Sequence, residues 1–264
     1  MLDIFNYQFM TRAFIVGGLL SVILPCMGMP ILLKRLSSMG DTLAHSSLAG
    51  VSIGLFTGIH PILGSIVACI IASLSIEFIR NKLKAYQEIS TVIILAASVG
   101  LAGIFSSFSN GGNTIASYLF GSIITISDSE FYLVIFISLI VLISYKLIYT
   151  KLYLLIFDAE NANILGINNK TINFIITFLS AISISISAKT IGSLIVSSLL
   201  IIPCILAMQF CKTYKNTLII SIIFSICFIY AGLFISYYYN LKPGSVIVLI
   251  SVITLLITLI IKRK

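Results

Sequence analysis

Long runs of apolar residues, broken by short clusters of Lys, Asn, Asp, Gly and Pro, recur along the whole sequence. Runs near 10–33, 42–58, 61–79, 88–106, 131–149, 172–189, 191–209, 216–236 and 244–261 match a helix crossing about 30 Å of hydrocarbon. The pattern predicts an all-α integral membrane protein with eight to nine transmembrane helices. Residues 115–126 are apolar but too short to span, so they are read as a short outer re-entrant helix sheltered by protein. The polar flanks 106–113 and 127–130 suit an outer mouth. Ser183, Ser185 and Ser187 alternate with isoleucine as in a strand, but an open strand cannot sit in lipid. As a helix, Ser180, Ser183 and Ser187 share a face, and close packing is preferred there over pore lining. Ser46, Gly50, Gly54 and Gly58 recur every fourth position, a ridge that lets a neighbouring helix approach.

Composition agrees with the pattern. Of 264 residues, 59% are hydrophobic and 9% charged, with mean hydropathy +1.16, which excludes a soluble globular domain. No polar stretch is long enough to fold separately, so residues 1–264 are read as one membrane domain. Residues 1–8 lack a basic flank and a small-residue cleavage site, so no cleaved signal peptide is expected. A net charge of +8 would suggest nucleic acid in a soluble protein; here the bases lie in short loops and report orientation instead. Of the sixteen Lys and Arg, all but Arg12, Lys189 and Lys242 fall on one side if the N-terminus is outside and the C-terminus inside. Nucleic acid is not an expected partner; the lipid bilayer is. Cys26, Cys69, Cys204, Cys211 and Cys227 show no close pair, so they are read as small buried hydrophobes rather than disulfides or a zinc knuckle.

Chemistry is sparse. There is no Gly-rich phosphate loop followed by Gly-Lys-Ser/Thr, and no arrangement that looks catalytic, so the chain is not read as an enzyme and no resident cofactor is expected. His60, in Gly58-Ile59-His60-Pro61, reads as a solvated loop residue. Asp41 and His45 differ, because spacing i, i+4 puts them on one helix face. Carboxylate and imidazole are zinc ligands that also serve manganese or iron, and an ionisable residue in a membrane bundle marks a substrate path by default. The competing reading makes Asp41 the N-cap of a helix over 42–58, which leaves the imidazole without a purpose. Both readings stand on chemistry alone.

The stretch Arg35-Leu-Ser-Ser-Met-Gly-Asp-Thr-Leu-Ala-His-Ser-Ser-Leu-Ala-Gly-Val51 resembles the signature of membrane subunits of bacterial ABC importers of zinc, manganese or iron. The resemblance continues through Tyr118-Leu-Phe-Gly-Ser122, Phe157-Asp-Ala-Glu160 with Ala162 and Leu165-Gly166, Ile191 to Pro203, and Pro243-Gly-Ser245. Its wording is nearest the high-affinity zinc-uptake permease. The resemblance implies a homodimer in the bacterial inner membrane, an ABC ATPase beneath each copy, and a periplasmic or lipid-anchored metal-binding protein outside. Zn2+, or Mn2+ or Fe2+, would be the cargo, handled by Asp41 and His45 of two copies. Carried over, Phe157, Asp158, Glu160, Ala162, Leu165 and Gly166 form the ATPase coupling loop, with Phe157 anchoring by burial and the acids capping or pairing. A permease for vitamins or siderophores and a stand-alone secondary carrier are the competing classes. The first gives the Asp–His pair no purpose, and the second predicts internal repeats that the halves do not show.

Overall fold

The computed structural model describes residues 8–83, 88–108, 127–239 and 241–262, and all its regular elements there are helices. In chain order they are α1 (Gln8–Leu33), α2 (Met39–Thr57), α3 (Pro61–Lys82), α4 (Ile89–Phe108) and α5 (Asp128–Phe157). The short α6 (Ala159–Ile164) follows, then α7 (Asn169–Ile191), α8 (Ser193–Met208), α9 (Tyr214–Tyr239) and α10 (Pro243–Lys262). Each of the nine predicted runs lies on one of the nine long helices. Seven are long and apolar enough to cross a membrane; α2 and the 16-residue α8 are not among them. The predicted re-entrant helix at 115–126 lies outside the described residues.

Helices α1 and α7 form the centre, buried along most of their length. On one side α1 meets α8, α9 and α5; on the other, α7 meets α3 and α2. Leu20, Leu24, Ile184, Ile191 and Leu199 are core residues from α1, α7 and α8. Bundles in lipid gain little from apolar burial alone and rely on close packing and interhelical hydrogen bonds. Gly28 of α1 shows this: a Cβ there would lie 1.8 Å from the Leu200 carbonyl oxygen, so only glycine lets α8 approach.

Side-chain pairs fix which helix ends lie together. Lys34 bonds Asn173, Tyr145 bonds Tyr214, and the Lys262 ammonium lies 4.5 Å over the Phe210 ring. These place the ends near 34, 157–173, 210–214 and 262 at one face, called here the basic end. At the opposite end Arg12 pairs with Asp128, and Lys189 with Glu130. Two of the three cations that stand apart in the sequence thus meet the two acids of α5's first turn, which also carries a capping box between Ser127 and Glu130.

Two expectations need correction. Met39, not residue 42, opens α2, its N-cap is Ser38, and Asp41 sits inside the first turn rather than at the cap. The cause is the corner before it. Arg35 takes a left-handed φ of 57°, Arg35 N–H donates to Leu32 O and Leu36 N–H to Ile31 O, a Schellman ending that turns the chain straight into α2. Burial of Leu36 and Met39 then starts the helix early. Of the cysteines, Cys26, Cys69 and Cys204 are buried, whereas Cys211 is half-buried and Cys227 is exposed on α9. A thiol is apolar enough for an outward helix face as well as for a core.

Candidate metal site and docking loop

Helix α2 is held on two sides by hydroxyl groups. Towards α4, Ser38 pairs with Thr91 (2.6 Å), Thr42 donates to Thr91 O (3.1 Å), and Ser46 pairs with Ser98 (2.7 Å), a row at every fourth residue. Towards α3 and α7, Ser47 bonds Ser65 (2.8 Å) and Ser65 bonds Ser185 (2.6 Å) in a fully buried chain. Further along, Gly50 and Gly64 touch backbone to backbone; a Cβ on Gly50 would sit 2.3 Å from Gly64 O. The predicted glycine ridge therefore faces α3 through Gly50, while Ser46 turns to α4. Packing is also the role of α7's serines, which are buried. Ser183 donates to Leu179 O, while the Ser180 and Ser187 hydroxyls have no partner among the described residues.

With Thr42, Ser46 and Ser47 turned inward, Asp41 and His45 share the remaining face; Asp41 is exposed and His45 half-buried. Among the described residues no group of three or more His, Cys, Asp or Glu side chains converges. The pair thus offers two ligands where zinc takes about four. His60 is exposed at the N-cap of α3, and its carbonyl accepts from Leu63 and Gly64, so its backbone serves the turn.

At the basic end, α5 runs about two turns beyond its predicted apolar stretch and carries Tyr145, Tyr149, Tyr153 and Phe157 at every fourth position. All four converge on Tyr214 of α9: Tyr145 through an O–H···O bond of 2.9 Å, the others ring to ring at 5.7, 5.7 and 6.0 Å. The i, i+4 aromatic spacing was the signal that could have extended the helix. Asp158 then caps α6 by accepting from Asn161 N–H (3.0 Å) and from its side-chain amide. Those two donors hold the Asp158 carboxyl below the usual carboxylate range. Ala162 is fully buried, while Phe157, Ile164 and Leu165 are 57%, 81% and 67% exposed and Glu160 is exposed. Gly166 has φ 75°, the left-handed conformation that ends a helix. Phe157 is therefore left open on this chain. The loop presents an apolar surface braced from behind by the buried Ala162.

The model of the ABC 3 transport family matches residues 6–262. The chain belongs to that family. A probable metal transport system membrane protein of Treponema pallidum is 36% identical over 254 residues, covering 96% of each chain. The high-affinity zinc uptake system membrane protein ZnuB of Buchnera aphidicola is 31% identical over 262 residues, covering 96% of this chain and 97% of that one. The manganese transport system membrane protein MntC of Listeria monocytogenes is 26% identical, covering 98% and 92%. Among solved structures, PsaBC from Streptococcus pneumoniae in complex with Fab superposes with a TM-score of 0.86 at 22% identity, over 97% of this chain and 92% of that one. That last likeness is one of fold. The chain is a multi-pass bacterial membrane protein, a permease of the metal ABC importer kind.

Proposed function

We propose that this permease passes Zn2+ from the cell exterior to the cytoplasm, driven by ATP that a separate ABC ATPase hydrolyses. The observation that carries the reading is the Asp41–His45 face, a carboxylate and an imidazole left outward on a helix otherwise locked in place. Two copies related by a two-fold axis would bring two carboxylates and two imidazoles together, a four-ligand set suited to transient zinc binding. The basic end is the cytoplasmic end, so the N-terminus lies outside and the C-terminus inside. The exposed Phe157, Ile164 and Leu165 surface is the ATPase contact, and a metal-binding protein delivers cargo at the opposite end. Manganese is the second reading, favoured by the Listeria relative, since carboxylate and imidazole serve both ions.

The test is uptake of radioactive zinc and manganese in a strain lacking its own importers, supplied with this chain, its ATPase and its binding protein. Asp41→Ala and His45→Ala should each abolish uptake at matched membrane abundance and dimer content, and His60→Ala should leave it within about twofold, as for a ligand-free loop residue. Full zinc uptake by either of the first two variants would remove the site assignment.

A further inference from the structure

The corner between α1 and α2 is tied to a distant helix. Lys34, the first residue past α1, is half-buried, and its ammonium donates to Asn173 Oδ1 of α7 at 2.5 Å, across 139 positions of sequence. Arg80 and Glu77 of α3, themselves an ion pair, face the same spot, and a cavity of about 10 Å³ beside Lys34, Arg80 and Asn173 has room for one water. The Ser180 hydroxyl, fully buried and without a partner among the described residues, lines that cavity. Next to Lys34 stands Arg35, with φ 57° the one non-glycine residue in the left-handed region among the described residues. Such a conformation costs on the order of 1 kcal/mol and persists where surrounding contacts enforce it.

Both sides of the Lys34–Asn173 bond lead somewhere. Four residues after Lys34 is Ser38, the N-cap of the helix that carries Asp41 and His45. Asn173 lies in the second turn of α7, a helix capped by the Asn168 side chain directly after the docking loop. There Ile167 N–H donates to Ala162 O of α6. We propose that Lys34 is a positioning residue for metal transfer: it fixes the strained corner from which the metal-pair helix starts to the helix that the ATPase-docking loop moves. The assignment rests on the importer reading above. Rigid elements with discrete contacts are what carry such coupling.

The experiment uses the full complex in liposomes and reads ATP hydrolysis without metal, which does not depend on cargo identity, beside metal uptake. Lys34→Met keeps the aliphatic stem but removes the donor. Metal-independent hydrolysis should rise and uptake per ATP should fall, by about tenfold, the ratio for one charge-assisted hydrogen bond. Asn173→Asp turns the bond into an ion pair and should lower metal-independent hydrolysis below wild type, while Lys34→Arg should restore coupling. Burial, reinforced by Arg80 and opposed by Glu77, brings the Lys34 ammonium down to about 8 from its ordinary 10.5. Raising the pH from 7 to 9 should therefore loosen the link in wild type but not in Lys34→Met. The fold itself should gain stability with pH between about 8 and 10.5, because the folded chain then binds fewer protons than the unfolded one. A merely structural bond would make both substitutions act in the same direction, through lower assembly. Equal shifts in Lys34→Met and Asn173→Asp, or unchanged coupling in both, overturn the proposal. A wild-type complex that hydrolyses ATP yet moves neither zinc nor manganese overturns the importer reading instead.

Discussion

Helices α2 and α5 are held in opposite ways. Around α2 the contacts are short and directional: paired hydroxyls at 2.6–2.8 Å on two sides, and glycine against glycine where α3 crosses. Around the basic end of α5 they are mostly broad, three aromatic rings gathered on the single ring of Tyr214 beside one hydroxyl pair from Tyr145. A hydrogen bond of that length fails with a displacement of less than 1 Å, whereas tilted rings 5–6 Å apart can slide and stay in contact. The helix that bears the Asp–His pair is therefore fixed in register, and the helix that leads into the loop at 158–166 is compliant. On the proposed function, that division would put the give near the ATPase contact and the precision near the Asp41–His45 pair.

Substitutions can break that contrast, and the largest effect is expected at Gly50. Gly50→Val forces a side chain into Gly64 O, where only backbone movement can make room, and should leave little folded permease on size-exclusion chromatography. Tyr214→Leu should come next, costing about 3 kcal/mol in denaturant unfolding of the purified permease, as expected for an emptied aromatic site. Tyr214→Phe, which keeps the ring, should recover most of that loss; an equal loss in both would put the energy in the hydroxyl pair and erase the contrast. Ser65→Ala takes the hydroxyl partner from Ser47 and from Ser185, which keeps its contact with Cys69, and should cost about 1 kcal/mol in the same assay. Ser38→Ala, at the half-buried start of the α4 row, should cost about half as much. If Ser38→Ala proved the costlier of the two, the α4 side rather than the α3–α7 side would set the register of α2.

The nine helices were legible because each is an apolar run of spanning length, a signal of composition that tertiary contacts do not erase. The ends were less legible. The start of α2 was missed because it depends on Arg35 adopting a conformation that sequence assigns to glycine. The Asp41–His45 pair was visible as two polar residues at helical spacing in an apolar segment. That both stay outward could not be seen, because it follows from where Thr42, Ser46 and Ser47 find partners on other helices. The roles of Arg12 and Lys189 were hidden for the same reason: Asp128 and Glu130 meet them across more than 100 and about 60 positions of sequence, respectively.

The polar, glycine-rich surface of α2 also bears on how the chain is made. Helix α2 is not apolar enough to be counted among the seven segments able to cross a membrane by their own composition, yet it ends packed against four neighbours. Ser47 and Gly50 find partners on α3, which begins only three residues downstream, past the left-handed Gly58. Insertion of α2 is thus expected to wait for α3, the two entering as a hairpin. A nascent chain halted after residue 60 should leave α2 open to protease, and one extended through residue 82 should shield it. The membrane-insertion machinery would then accept the Asp–His helix as cargo of its more apolar neighbour rather than on its own account.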